Sequence, residues 1–159
     1  MSGEKPRQAE GAVPSKESLR LWLRLLKVQR HVEADLRERL RREFNSTLPR
    51  FDVMSALHRY RDGMKMSELS RVLMVSNGNV TGIVDRLAED GLALRVPVPG
   101  DRRAAMVRLT KRGVEEFERQ AKAHEAWVHA ALGRLGPEDS ARMTALLERA
   151  LDEGETDAT

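Results

Sequence analysis

The stretch SELSRVLMVSNGNVTGIVDRLAEDGLALRVPVPGDRRAAMVRLT, residues 67–110, decides the fold. Its first half contains two short helical patterns separated by a brief turn, over residues 68–73 and 77–90. Its second half reads as two strands joined by a charged turn at residues 99–103. Two helices in immediate succession followed by a hairpin are the order of a winged helix-turn-helix. We therefore predict a mainly α fold with a small β-hairpin wing.

The second helix of the pair has two unlike faces. Its apolar residues recur at helical spacing, and glycines lie on the opposite side at Gly78 and Gly82. A glycine inside a helix costs roughly 1 kcal/mol relative to alanine, so two of them on one exposed face require a reason. Close approach of the helix backbone to a groove wall is one such reason. A surface helix that is merely built from small polar residues is the alternative.

Polar side chains of the same helix suit the edges of DNA bases. Asn77, Asn79 and Thr81 supply amides and a hydroxyl, and Arg86 adds a positive charge. The amino end of the helix is also a favourable place for a phosphate. These residues predict that the helix reads DNA in the major groove.

The turn between the strands carries a second group of candidate residues. Arg102 and Arg103 are expected in a tight loop that exposes them, and such arginines suit the narrow minor groove. Asp101 could hold one guanidinium in position. A turn that only improves solubility is the alternative, and the preceding helix-turn-helix favours DNA over it.

The flanks of this lobe consist of long helical patterns. The apolar residues of the first helix persist for nearly thirty residues, too many for a small monomer to cover, which indicates a partner helix. We divide the chain into a flexible tail (1–14), an N-terminal dimerisation helix (15–48), a winged helix-turn-helix DNA-binding lobe (49–110), C-terminal dimerisation helices (111–153) and an acidic tail (154–159).

Composition excludes several classes of function. The chain has no cysteine, which rules out disulfides, thiolate zinc sites and thiol redox sensing. His124 and His129 are five residues apart and do not share a helix face, so we expect no metal site and no cofactor. No catalytic constellation stands out, and we expect no enzyme. Without a secretory signal or an apolar span, the expected location is the cytoplasm, with no membrane partner.

Charge is unevenly distributed along the chain. The 28 Lys and Arg residues exceed the 25 Asp and Glu residues by three. Residues 1–110 are net basic, and residues 111–159 are net acidic. This asymmetry allows an anionic partner on one part of the molecule but does not require one.

Three segments together resemble the MarR family of bacterial transcription regulators. They are MSELS (66–70), VSNGNVTGIVDRL (75–87) with DGL (90–92), and DRR (101–103) followed by LTKRG (109–113). The resemblance covers roughly residues 18–152. It implies a homodimer in which the first and the last two helices interlock, bound to a pseudo-palindromic operator of double-stranded DNA. It also implies that Ser76 to Gly82 enter the major groove and that Arg102 or Arg103 reaches the minor groove.

The resemblance further implies a small-molecule effector bound between the dimer helices and the DNA lobe. The sequence of residues 75–79 is similar to that of regulators of aromatic-acid catabolism. This similarity suggests that the effector is an aromatic or phenolic acid, or its CoA thioester, and that it releases a repressor from DNA. Plain core is the commoner role for side chains of this kind and is the favoured alternative for each candidate lining residue. The candidates are Trp22, Leu26, Arg30, His31, Met54, His58 and Trp127. A helical scaffold or adaptor that lacks specific DNA binding is the alternative function.

Overall fold

The computed structural model describes residues 15–73 and 77–155, in six helices and three strands. The helices are α1 (Lys16–Phe44), α2 (Leu48–Arg59), α3 (Met66–Leu73), α4 (Asn77–Glu89), α5 (Lys111–Ala131) and α6 (Pro137–Glu155). The strands are β1 (Met64–Lys65), β2 (Ala93–Val98) and β3 (Asp101–Leu109). The mainly helical fold with a small sheet confirms the predicted fold class.

The chain forms two compact units, Met1–Ala34 and Asp35–Thr159. The described part of the first unit is the amino-terminal portion of α1. Its large apolar side chains are exposed: Leu19, Leu21, Trp22, Leu23 and Val28. The second unit holds the rest of α1 and every other element.

The sheet has one strand more than the sequence predicted. Its order is β1-β3-β2, and both neighbouring pairs are antiparallel. β1 has only two residues, which pair with Val107 and Met106 of β3. Two residues are too few to show an alternating pattern, so this strand leaves no readable signal in the sequence. As expected from Pro97, β2 lies at the edge of the sheet.

The core of the second unit lies where α2, α3, α4 and the sheet meet. Side chains from all four contribute and are fully buried: Leu57, Leu69, Val80, Val84, Leu87 and Val107. Burying a Val or Leu side chain stabilises a fold by about 1.5–3 kcal/mol. This core fixes which face of α4 points inward.

The junction between the wing and α5 depends on one close approach. Thr110 caps α5 by accepting a hydrogen bond from the Gly113 N–H at 2.9 Å, and its hydroxyl donates to the Gly91 carbonyl at 2.8 Å. A Cβ at Gly113 would lie 1.9 Å from the Leu92 carbonyl oxygen, closer than any real contact. Only glycine therefore allows the first turn of α5 to pack against the start of the wing.

The last helix, α6, has no buried side chain among its residues 137–152. Met143, Leu146, Leu147 and Leu151 are its large apolar residues, and all four are exposed, Leu151 to 72%. In this respect α6 resembles the first unit and differs from the core just described.

Candidate nucleic-acid interface

The inner face of α4 is anchored as its spacing predicted. Val80, Val84 and Leu87 have no exposed surface, and Ile83 is half-buried at the edge of the stripe. Three fully buried side chains on one side leave the helix no freedom to rotate. The opposite face must therefore point to solvent.

That outward face of α4 holds most of the candidate base-reading residues. Asn79, Thr81, Gly82 and Arg86 are exposed. A Cβ at Gly82 would meet no atom within 4 Å, so open space lies directly above the backbone there. Asn77 and Gly78 form the first turn of α4, and the predicted Ser76 lies outside the described residues. The surface is polar and lets a partner come close to the main chain.

Two ion pairs join α4 and the residue after it to neighbouring elements. Arg95 Nη2 of β2 lies 2.6 Å from Asp85 Oδ1 of α4. Arg50 Nη2 of α2 lies 2.7 Å from Asp90 Oδ2, one residue beyond α4. Neither pair could be predicted from the sequence. Their partners are 10 and 40 residues apart, so no helical or strand spacing relates them.

The turn of the wing is shorter than predicted. β2 ends at Val98, which pairs with Asp101, so only Pro99 and Gly100 form the turn. Gly100 has φ +82°. A type II turn requires a positive φ at its third residue and favours proline at its second, as Pro99 and Gly100 provide.

The two wing arginines lie inside β3 rather than in the turn, which corrects the prediction. Pro97 pairs with Ala105 and Val98 pairs with Asp101, so the register shifts and residues 102–104 lack a partner in β2. A strand that carries unpaired residues bends and turns its side chains away from the ladder. Arg103 is exposed at this irregularity.

Asp101 stabilises the backbone of the irregular segment. Its Oδ1 accepts a hydrogen bond from the Arg103 N–H at 3.0 Å. The prediction gave this carboxylate a guanidinium partner, whereas the bond observed is to the main chain. Asp101 thereby orders the unpaired part of β3 that carries Arg103.

The candidate effector residues are divided between the two units of the chain. Of those in the first unit, Trp22, Arg30 and His31 are exposed and Leu26 is half-buried. In the second unit, Met54 has no exposed surface and Trp127 is buried against Phe44, with ring centroids 6.0 Å apart. Met54 and Trp127 are thus buried core residues, which was the alternative to a ligand-lining role.

His58 lies in a row of rings between α2 and α5. The centroid of its ring lies 4.7 Å from that of Phe117, and the Phe117 ring lies 5.4 Å from that of Phe51. The Phe51 ring stacks on His124, with centroids 4.4 Å apart. Its Nε2 lies 3.1 Å from Glu118 Oε1. Burial lowers the pKa of His124, because the interior disfavours the charged imidazole.

Comparison with known proteins places this arrangement among transcription regulators. The profile of the MarR family matches residues 46–105, which hold the helix-turn-helix and most of the wing. The transcriptional activatory protein BadR of Rhodopseudomonas palustris is 34% identical over 109 residues, which are 67% of this chain and 62% of that protein.

Solved structures share the fold over most of the chain. A MarR family transcriptional regulator from Silicibacter pomeroyi is 31% identical, with a TM-score of 0.74 over 88% of this chain and 99% of that chain. A mutant MarR from E. coli, complexed with operator DNA, is 26% identical, with a TM-score of 0.74 over 85% of this chain and 96% of that chain. In the part of the chain that the structure describes, no helix is both long enough and apolar enough to cross a membrane.

Proposed function

The chain belongs to the MarR family of DNA-binding transcription regulators, and we propose that it is a homodimeric repressor of a pseudo-palindromic operator. Membership confirms the resemblance seen in the sequence. Members of this family are regulators and not enzymes, which also decides against the adaptor alternative. We place the repressor in the cytoplasm, the compartment that holds bacterial DNA.

The outward face of α4 is the observation that carries the proposal. A helix is about 10–12 Å across and fits the major groove, which is about 12 Å wide. Asn79 and Thr81 offer hydrogen bonds to base edges, and Gly82 lets the backbone approach. We assign base reading to Ser76, Asn77, Gly78, Asn79, Thr81 and Gly82. Arg86, exposed further along the helix, is assigned to a phosphate.

The wing supplies the second contact in this proposal. Arg103 is exposed where β3 leaves its register, and Asp101 holds the backbone on either side of Arg102. An arginine in a narrow minor groove is attracted by its enhanced negative potential. We assign Arg102 and Arg103 to that groove and Asp101 to ordering the segment.

Exposed apolar surface on the terminal helices supports the homodimer. Leu146 of α6 is 58% exposed and Trp22 of α1 is 56% exposed, and each is surrounded along its helix by further exposed leucines. Contiguous apolar patches of this kind mark association surfaces. A two-fold dimer would then present two copies of α4 to half-sites about 10 bp apart.

The effector is assigned by chemistry rather than by a filled site. We propose an aromatic acid or its CoA thioester, because exposed basic residues of the first unit would complement its phosphates or carboxylate. These are Arg20, Arg24, Lys27 and Arg30. Release of the protein from labelled operator by hydroxycinnamoyl-CoA, with free CoA and the free acid as controls, tests this. An operator complex unaffected by all three compounds would contradict it.

Selection of bound sequences from random duplex DNA tests the proposed function itself. We expect an enriched pseudo-palindrome whose two halves are centred about 10 bp apart. Recovery of duplexes with no shared sequence would contradict sequence-specific binding. An enriched half-site without a symmetry mate would contradict the dimer while leaving base reading intact.

A further inference from the structure

We propose that Arg95 binds a DNA phosphate beside the groove that α4 enters, and that Asp85 is the positioning residue that aims its guanidinium. This inference rests on the proposed function and adds a contact on β2, outside both α4 and the tip of the wing. Nothing in the spacing of the sequence points to Arg95.

The position of the pair is the first argument. Asp85 lies on the exposed face of α4, less than one turn beyond Gly82, and its side chain is 55% exposed. Arg95 reaches that face from β2, with Nη2 at 2.6 Å from Asp85 Oδ1, and remains 40% exposed. The guanidinium therefore lies at the border of the surface assigned to the major groove.

Hydrogen-bonding capacity is the second argument. A guanidinium carries five N–H donors in a rigid fork. The bond to Asp85 uses Nη2 and restrains the position of the group. A single carboxylate cannot accept all five donors, and those that remain are pre-oriented for an anion. Arginine is favoured for phosphate because its planar fork matches the phosphate oxygens.

Charge is the third argument. A carboxylate close to the phosphate backbone is repelled by it, since duplex DNA carries about one negative charge per 1.7 Å of axis. An aspartate on the DNA-facing side of α4 is therefore unfavourable unless a cation is bound to it. Arg95 supplies that cation and leaves the pair neutral, with its positive end free to approach a phosphate.

Fold stability does not explain the pair. Exposed ion pairs contribute about 0–1 kcal/mol to folding, and both side chains here are more than a third exposed. Substitutions at either residue should thus leave the fold intact, and their effects on DNA binding can be measured without a folding defect.

Two roles of Arg95 must be separated: contact with a phosphate, and mere neutralisation of Asp85. Four proteins separate them, namely the parent, D85N, R95M and D85N/R95M. In the D85N background no negative charge remains to be neutralised. Any further loss caused by R95M in that background must come from Arg95 itself.

The experiment measures affinity by fluorescence anisotropy over a range of salt, for the selected operator and for an unrelated duplex. Adding R95M to D85N should weaken both complexes by a similar factor, roughly eightfold near 0.1 M salt. The slope of log K against log salt should become shallower by about 0.9. R108M is the matched control, because Arg108 lies on the opposite face of the same sheet and should leave the slope unchanged.

Two results would overturn the inference. If D85N/R95M binds both duplexes as tightly as the parent protein, in which the pair is also neutral, Arg95 only neutralises Asp85. If the loss is confined to the operator, Arg95 reads a base and not a phosphate. Failure of the proposed function looks different, because the parent protein would then show no preference for any duplex.

Discussion

The helix-turn-helix lobe buries its large apolar side chains, whereas the last helix exposes them. In the lobe, Leu69, Val84 and Leu87 have no exposed surface. In α6, Leu146 is 58% exposed and Leu151 72% exposed, although both recur at helical spacing like those of the lobe. One region is complete within a single chain, and the other presents an apolar stripe that a single chain leaves uncovered. The difference supports our proposal that the lobe folds on its own contacts and that the terminal helices are where two chains associate.

Breaking the association side of this comparison should give the largest effect. Leu146→Glu places a charge in the apolar stripe of α6 and should convert the dimer to a monomer. Because two linked α4 helices bind far more tightly than one, operator affinity should fall by about 100-fold or more. Light scattering gives the mass, and anisotropy gives the affinity.

Ala145→Glu is the matched control for that change, since it adds the same charge on the opposite side of α6. It should remain dimeric and bind operator normally. A monomeric parent, or a Leu146→Glu protein that stays dimeric with full affinity, would contradict the assignment of α6.

A substitution in the buried core of the lobe should lower the free energy of unfolding. Leu87→Ala removes a fully buried side chain of α4 and should cost about 2–5 kcal/mol of unfolding free energy. Denaturant unfolding followed by circular dichroism measures the loss. Leu151→Ala, at an exposed position, should cost far less in a dilute sample where the protein is monomeric. Equal losses at the two positions would erase the distinction between the regions.

The sequence could predict the parts of the molecule that repeat at fixed spacing. The stripe of Val80, Val84 and Leu87 predicted the orientation of α4, and Gly91, with φ +74°, marks its end as expected. The edge position of β2 followed from Pro97. Each of these features is set by local chemistry that a short window of sequence contains.

The remaining features depend on contacts between distant segments. β1 consists of two residues that are a strand because they pair with two residues of β3. The Asp85–Arg95 pair likewise joins two separate elements, a helix and a strand. The shift in register at Pro97 and Val98, which moves Arg103 out of the turn and into β3, follows from how two strands pair. Neither strand alone contains that information, so the prediction placed the arginines in the loop.

A substitution in the wing should separate DNA binding from folding within the lobe, because it should weaken binding without lowering stability. Arg103→Ala removes an exposed guanidinium and should weaken operator binding by about 1–3 kcal/mol, with thermal stability unchanged. Anisotropy titration at fixed salt measures the loss. If both Arg102 and Arg103 can be replaced by Ala with operator affinity intact, the minor-groove assignment is wrong.

The smallest effect concerns pH and the packing of α5. Burial holds the pKa of His124 below its ordinary value of 6.5, so the folded state binds this proton less readily than the unfolded chain. The stability it contributes is present above about pH 6.5 and is lost as the pH falls towards the folded pKa. His124→Phe keeps a ring against Phe51 and should flatten the decline in melting temperature between about pH 7.5 and about pH 5.5. An unchanged decline would assign it to other groups.

Repeating the random-duplex selection with Asn79→Ala and Thr81→Ala proteins tests whether the outward face of α4 reads bases. We expect each variant to bind DNA still but to lose base preference at one position, which repeats in both half-sites of the pseudo-palindrome. A uniform loss of affinity across all duplexes, with the preferred sequence unchanged, would contradict it.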